Sequence, residues 1–170
     1  MILLKNILVA TDFSAPSDAA IAYGRELAQS FGARLTIFHA AENIAARGYG
    51  ADGFVFTDLG VQHDYEAAAH RQIDETCGEH QGGLKRISVV VTSNQPASAI
   101  VDYARQAGID LIVMGTHGRG AVAHLLMGSV AERVVRTAPC PVLTVRHPER
   151  EFVLADALVA DRESALLQAL

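Results

Sequence analysis

Residues 110–120 read Asp110-Leu111-Ile112-Val113-Met114-Gly115-Thr116-His117-Gly118-Arg119-Gly120, and residues 125–130 read Leu125-Leu126-Met127-Gly128-Ser129-Val130. Residues 110–114 form the clearest strand pattern in the chain, because four consecutive apolar side chains suit a parallel strand covered on both faces. Three glycines follow, and a helix is predicted from Ser129 to about Arg136. A buried strand, a glycine-rich loop and a helix in this order indicate a βα unit of a parallel sheet.

The same alternation of strands and helices extends in both directions from this stretch. Apolar runs of strand length occur at 6–10, 34–39, 86–92 and 141–146, and helices are predicted over 16–31, 61–79 and 96–107. Ser14 is a plausible cap of the first helix, Pro16 suits its first turn, and Gly32 closes it. We therefore predict a single-domain α/β fold with an open five-stranded parallel sheet and helices on both faces, a Rossmann-like architecture.

Two segments fit this pattern less well. The stretch 41–60 contains four glycines and is long for a loop in a compact domain, so we expect a mobile segment or a functional lid. The tail, 147–170, carries apolar side chains among charged ones. For this C-terminal extension we predict a helix packed on its own domain in preference to a helix that binds a partner.

Composition narrows the class of protein. Of 170 residues half are hydrophobic, and the net charge is −5 with the 14 basic residues scattered, which argues against a nucleic-acid surface. No run approaches the ~18 apolar residues of a membrane helix. The N-terminus lacks the pattern of a secretory signal. With only Cys77 and Cys140, a disulfide framework is excluded and a cytoplasmic location is expected.

The glycine-rich loop and the helix after it have the chemistry of an anion site. Gly115, Gly118 and Gly120 would let phosphates approach main-chain N–H groups closely, since they lack a Cβ. The first N–H groups of the helix at Ser129 have no intrahelical acceptor and add the positive end of its dipole. The alternative is that these glycines only make turns and Ser129 only caps its helix.

The spacing Gly-x2-Gly-x9-Gly-Ser, formed by Gly115, Gly118, Gly128 and Ser129, resembles the nucleotide-binding signature of the universal stress protein family. The resemblance extends through Ile7-Leu8-Val9-Ala10-Thr11-Asp12-Phe13-Ser14 and covers about residues 2–146, which are predicted to form one domain. It implies an adenine nucleotide alpha hydrolase-like fold that binds ATP, or AMP or ADP, with Mg²⁺ as a further expectation and the metal ligands unknown.

The resemblance also implies positions for the nucleotide. Three groups of residues would hold the adenosine, the ribose with the first phosphates, and the phosphate end: Ala10, Thr11, Asp12 and Ala40; Met114, Gly115, His117 and Gly118; and Gly128, Ser129 and Val130. Asp12 would face the ribose or a magnesium ion, or else bond the N–H groups of the turn that follows. Relatives of this type further imply a homodimer formed through the fifth strand, Val142 to Val145, and an unknown protein partner.

Some positions depart from the commonest family pattern. Ala123-His124 stands where basic residues are frequent, and Asn94-Gln95-Pro96 replaces a Gly-x-Pro turn. A metal site formed by His63, Glu66 and His70 is disfavoured against a solvated helix face. Cys140 is expected to be an inert thiol.

Catalytic signatures of nucleotide hydrolysis are missing from the sequence. It has no Gly-x4-Gly-Lys-Ser/Thr loop, no Gly-x-Ser-x-Gly elbow and no kinase-type catalytic loop. The favoured interpretation is therefore a nucleotide-dependent regulatory protein of the stress response without catalytic residues. A slow ATPase or self-phosphorylating enzyme, with Ser129 or a nearby hydroxyl as acceptor, and a dimerisation scaffold without ligand remain as alternatives.

Overall fold

Five apolar segments form the strands of one parallel sheet: β1 (Asn6–Ala10), β2 (Arg34–Ala41), β3 (Arg86–Thr92), β4 (Leu111–Gly115) and β5 (Val142–Val145). Four helices connect them: α1 (Ala15–Phe31), α2 (Leu59–Cys77), α3 (Pro96–Gln106) and α4 (Ser129–Thr137). The strand order is β3-β2-β1-β4-β5, and all four pairings are parallel. The computed structural model describes residues 2–44, 59–77, 84–116 and 127–146.

Helices cover both faces of the sheet, as predicted. Ile7 and Val9 of β1 point into a core shared with α1 and α2, whereas Leu8 points into a second core shared with α3 and α4. All three side chains are fully buried. The near-continuous apolar sequence of the central strands follows from this burial on both faces.

Helix α1 lies unusually close to the sheet. A Cβ built on Gly24 would lie 2.2 Å from Cγ2 of Val9, a distance that atoms in a packed core do not adopt. The helix begins after Ser14 and has Pro16 in its first turn. It ends at Gly32, whose φ of 62° is the left-handed conformation typical of a helix C-terminus. The predicted start and stop residues of this helix are confirmed.

The predicted boundaries were wrong at three strands; β5 runs over Val142–Val145 and not over 141–146. Strand β2 continues to Ala41, because Ala40 and Ala41 pair with Val91 and Thr92 of β3. Asp110 precedes β4, and its Oδ2 accepts the N–H groups of Lys5 at 2.8 Å and Asn6 at 2.9 Å. That carboxylate therefore fastens the start of β1 to the start of β4.

The predicted loop 41–60 is also shorter than the sequence suggested. Ala41 belongs to β2, while Leu59 and Gly60 belong to α2. Residues 45–58 and the C-terminal residues 147–170 lie outside the described ranges, so the lid and the C-terminal helix stay predictions. No helix in the part of the chain that the structure describes is long and apolar enough to cross a membrane.

Candidate functional site

A cavity of about 350 Å³ opens at the carboxyl ends of the three central strands. Strands β1 and β4 are neighbours in the sheet, but β1 leads through α1 toward β2 while β4 leads through α4 toward β5, on the opposite side. The chain thus leaves the two strands in opposite directions, which opens a crevice between them. Small-molecule sites of parallel sheets lie in such crevices, and the volume is within the usual range.

Nine of the predicted site residues line this one cavity: Ala10, Thr11, Asp12, Ala40, Met114, Gly115, Gly128, Ser129 and Val130. The other two, His117 and Gly118, lie outside the described residues. Residues separated by more than 100 positions in the sequence therefore meet at one site. Their roles toward a nucleotide stay predictions.

Buried hydroxyl groups form one wall of the cavity. Thr11, Ser17 and Thr116 are at most 7% exposed. Oγ of Ser17 lies 2.8 Å from the carbonyl oxygen of Ser14 and 3.1 Å from Oγ1 of Thr11. Because the Ser17 hydroxyl donates its single hydrogen to the carbonyl, the Thr11 hydroxyl donates to Ser17. Oγ1 of Thr11 in turn accepts the N–H of Phe13 at 3.0 Å, so these hydroxyls hold the turn after β1.

Asp12 is engaged in the same turn. Its Oδ1 accepts the N–H of Ser14 at 3.2 Å and the hydroxyl of Ser14 at 2.5 Å. This is the turn-bonding role that we weighed for Asp12 on sequence grounds. Asp12 is also the one acidic residue among the described residues that line the cavity, and these include no Lys or Arg.

The turn contains a strained residue. Phe13 has a φ of 62°, a conformation that costs about 1 kcal/mol or more for a residue other than glycine. Its ring packs against that of His39, with the centroids 4.5 Å apart. Nδ1 of His39 lies 2.9 Å from the carbonyl oxygen of Thr11. Since a carbonyl only accepts, Nδ1 carries the proton. His39 and the buried hydroxyls thus stabilise a backbone shape that the local sequence disfavours.

The first turns of three helices converge on the cavity. Ser17 of α1, Pro96 of α3, and Ser129, Val130 and Ala131 of α4 all line it. In α4 the first backbone hydrogen bond that spans four residues is donated by the N–H of Glu132 to the carbonyl oxygen of Gly128, at 2.9 Å. The N–H groups of the three preceding residues therefore have no intrahelical acceptor. Each helix start adds a partial positive charge to the cavity.

A hydrogen bond closes the base of the glycine-rich loop. The N–H of Gly128 donates to the carbonyl oxygen of Thr116 at 2.7 Å, and the N–H of Thr116 donates to Val145 at 2.8 Å. The loop therefore leaves and rejoins the fold at one fixed point, which places the start of α4 beside the end of β4.

Gly115 has a packing role that the sequence did not indicate. A Cβ at this position would lie 2.9 Å from the carbonyl carbon and from Cβ of Pro16, and 3.0 Å from the Pro16 oxygen. These atoms are mostly backbone and cannot swing aside. The glycine thus allows the first turn of α1 to pack directly on the end of β4.

The remaining wall is apolar. Seven residues that line the cavity were not predicted from the sequence, some in this apolar wall and some in the hydroxyl wall. They are Ser17, Phe38, His39, Pro96, Ile100, Thr116 and Ala131. Phe38 is 1% exposed and Ile100 is 4% exposed. Phe38 could have been assigned to the site from the sequence, because it stands near the carboxyl end of the predicted second strand, where ligand sites of parallel sheets lie. A flat, uncharged ring fits this end of the cavity, and an anionic group fits the end formed by α4.

Other candidate residues lie away from the cavity. Burial, with Asp110 nearby, raises the pKa of the Cys140 thiol, in line with the inert thiol predicted. Cys77 is buried in the core beside α1. Nδ1 of His70 lies 3.3 Å from Oγ of Ser88. Within the described ranges, no group of three or more His, Cys, Asp or Glu residues is arranged to hold a metal ion.

Comparison with known proteins identifies the family. A model of the universal stress protein family matches residues 4–146. The chain belongs to the universal stress protein family. Among curated members of the family, a universal stress protein of Thermus aquaticus is 36% identical over 149 residues, covering 85% of this chain and all of the relative. A Methanocaldococcus jannaschii member is 33% identical over 151 residues, covering 88% of this chain and 86% of the relative.

Solved structures of the family share the fold. The universal stress protein UspA from Lactobacillus plantarum superimposes with a TM-score of 0.66 at 29% identity, covering 86% of this chain and all of that one. Two more distant members were solved in complex with nucleotides. One, at 23% identity and a TM-score of 0.58, contains cAMP, and its match covers 85% of this chain and 98% of that one. The other, from Archaeoglobus fulgidus, contains dAMP at 20% identity and a TM-score of 0.52, and its match covers 85% of this chain and 99% of that one.

Proposed function

We propose that the protein binds an adenine nucleotide, ATP foremost, in the cavity between β1 and β4, and that occupancy regulates its interaction with a protein partner during stress. The observation that carries this proposal is the start of α4, whose first N–H groups have no intrahelical acceptor, at a cavity that also has an apolar wall. Helix N-termini bind phosphate through free N–H groups and dipole, and the apolar end suits a purine.

The proposed nucleotide lies with its base near Phe38 and Ala40 and its phosphates near Gly128 and Ser129. Because no Lys or Arg is among the described lining residues, helix N-termini and a bound Mg²⁺ would balance the charge of the triphosphate. Asp12 is the residue that would hold that ion. AMP and ADP would bind in the same cavity and differ from ATP in how many phosphates they present to the start of α4.

Two kinds of support come from relatives. Members of the same fold were solved with cAMP and with dAMP, which makes adenine nucleotides the first class of ligand to test. The residues that the family model matches, 4–146, also span positions 115–129, where we propose that the phosphates bind. The likeness to those complexes is distant and concerns the fold, so the ligand of this chain stands as our proposal.

Calorimetric titration with ATP, ADP and AMP tests the proposal. We expect micromolar binding of ATP, and a loss of about tenfold in Ser129→Ala, since one hydrogen bond to a charged group is removed. Ser30→Ala is the matched control, because Ser30 is an exposed serine on α1 outside the cavity. If the wild type binds none of the three nucleotides, the proposal fails and the scaffold alternative takes its place.

The same samples test enzymatic activity. Ser129 lines the cavity with its side chain exposed, which keeps a slow ATPase or self-phosphorylation at Ser129 as the second candidate. After incubation with ATP and Mg²⁺, the regulatory proposal predicts intact protein mass and no ADP beyond the level of a blank. A mass increase of one phosphate that disappears in Ser129→Ala would favour the enzyme.

We further propose a homodimer formed through β5, in the cytoplasm. Among the described strands, β5 pairs only with β4 and lies at the edge of the sheet. Its residues Val142, Leu143 and Thr144 are half-buried, so an apolar edge stays available for pairing. A single monomer mass across micromolar concentrations in sedimentation would contradict the dimer.

A further inference from the structure

Gln62 of α2 lies outside the cavity and bonds three separate parts of the fold. Its Oε1 accepts the N–H of Ile44 at 3.0 Å. Its Nε2 lies 3.3 Å from the carbonyl oxygen of Glu42, 3.0 Å from Oγ1 of Thr92 and 3.2 Å from Oε1 of Glu66. One side chain thus joins α2, the chain leaving β2 and the end of β3.

The proton positions in this cluster follow from its chemistry. Thr92 donates its only hydroxyl hydrogen to Oε1 of Glu66 in a short hydrogen bond. The oxygen of Thr92 therefore serves as an acceptor for the Gln62 amide, and the carboxylate of Glu66 can only accept. The Gln62 amide has two N–H hydrogens for three nearby acceptor oxygens, so it shares them among Glu42, Thr92 and Glu66. A thioether in place of the amide has no hydrogen to donate to these oxygens.

The cluster bonds two segments that adjoin cavity-lining residues in the chain. Ala40 lies two residues before Glu42, and Pro96 lies four residues after Thr92. Both line the cavity, whereas Gln62 does not. Two further bonds fasten the same segments to each other: Asn43 donates its N–H to Oδ1 of Asn94 at 3.0 Å, and Ser93 donates its N–H to the carbonyl oxygen of Ala41 at 2.8 Å.

We propose that Gln62 is a positioning residue that sets the base selectivity of the cavity, by fixing the exit of β2 and the β3–α3 turn. The inference rests on the proposed nucleotide site. The phosphate end is fixed by different contacts, namely the Gly128–Thr116 and Thr116–Val145 bonds at β4 and β5. A change at Gln62 therefore alters the Ala40 and Pro96 wall and leaves the start of α4 in place.

The test compares nucleotides that differ at one end only. In Gln62→Met, which keeps the length of the side chain and removes its amide, we expect the ratio of ATP to GTP affinity to fall by about threefold to tenfold. The ratio of ATP to AMP affinity should stay within about twofold, because the phosphates meet α4. Gln72→Met is the matched control, since Gln72 is exposed on the same helix.

Four outcomes would overturn the inference. An equal loss for ATP, GTP and AMP would show that Gln62 acts on overall stability alone, and unchanged affinities would show that it does not act on the cavity. A wild type that binds ATP and GTP equally well would remove the selectivity to be set. A wild type that binds no nucleotide would contradict the proposed function together with the inference. The three other outcomes contradict only the inference about Gln62, so the two failures can be told apart. If Gln62→Met does not fold, Thr92→Val is used instead, because it removes one partner of the Gln62 amide. The same changes in the ATP to GTP and ATP to AMP affinity ratios are expected of it.

Discussion

Replacing Gly115 by alanine tests how closely the first turn of α1 packs on the end of β4. The added Cβ would lie 2.9 Å from two atoms of Pro16 and 3.0 Å from its oxygen. Ordinary contacts of this kind begin near 3.4 Å, so α1 or β4 has to move by about 0.5 Å. Overpacking of this size costs about 1–3 kcal/mol. For a chain of this length the melting temperature should fall by about 2–12 °C.

Gly24→Ala separates this stability loss from an effect on binding. Its Cβ would lie 2.2 Å from Cγ2 of Val9, in the core and outside the cavity, so it should destabilise the fold at least as much. Under conditions where both variants are folded, only Gly115→Ala should bind ATP more weakly, because Pro16 precedes the cavity residue Ser17. Thermal unfolding and calorimetry measure the two quantities independently.

Two results would refute the reasoning about Gly115. A melting temperature equal to that of the wild type would mean that α1 is not packed on this residue. A parallel loss of ATP affinity in Gly24→Ala and Gly115→Ala would mean that affinity follows overall stability and not the position of α1.

Three further predictions concern single side chains. Thr11→Val removes the acceptor of the Phe13 N–H and should lower the free energy of unfolding by about 1–3 kcal/mol, measured in urea; an unchanged midpoint would contradict the hydrogen bond. Hydrogen bonds from Thr92 and Gln62 hold the pKa of Glu66 below its ordinary value of 4.5, with His63 and His70 adding to the effect. The resulting stabilisation is complete above about pH 4.5 and is lost as pH falls through the lower folded-state pKa. This acid-dependent stabilisation should be missing in Glu66→Gln. If the free energy of unfolding of this variant and of the wild type depended on pH in the same way, a contribution of ionised Glu66 would be excluded. The raised pKa of Cys140 predicts slow alkylation at pH 7.5, and labelling as fast as for a free thiol in solution would contradict that raised pKa.

The fold class could be predicted because the strands are buried on both faces. Their apolar runs stand out in the sequence, and the order of strands and helices leaves few arrangements. The end of β2 could not be predicted, since Ala40 and Ala41 continue the strand only by pairing with Val91 and Thr92, some 50 residues away. Asp110 was assigned to a strand for the same reason: its partners, Lys5 and Asn6, are more than 100 residues distant.

The candidate site was predictable where its residues carry a local signal. The glycine and serine spacing identified one end of the cavity, and the turn after β1 identified another part. Ser17 and Thr116 belong to the wall because of how α1 and β4 pack, which no local pattern indicates. The cluster around Gln62 depends on three segments that meet only in the folded chain.

The central claim, that an adenine nucleotide occupies the cavity between β1 and β4, is tested most directly by mapping ATP onto backbone amides with ¹H–¹⁵N NMR. Saturable shifts are expected at Ala40, Thr116, Ser129 and Val130, which line the cavity. The amides of Lys5 and Asn6, at the amino-terminal end of β1 and outside the cavity, should not shift. Shifts confined to another surface, or no saturable shifts at millimolar ATP, would contradict the account.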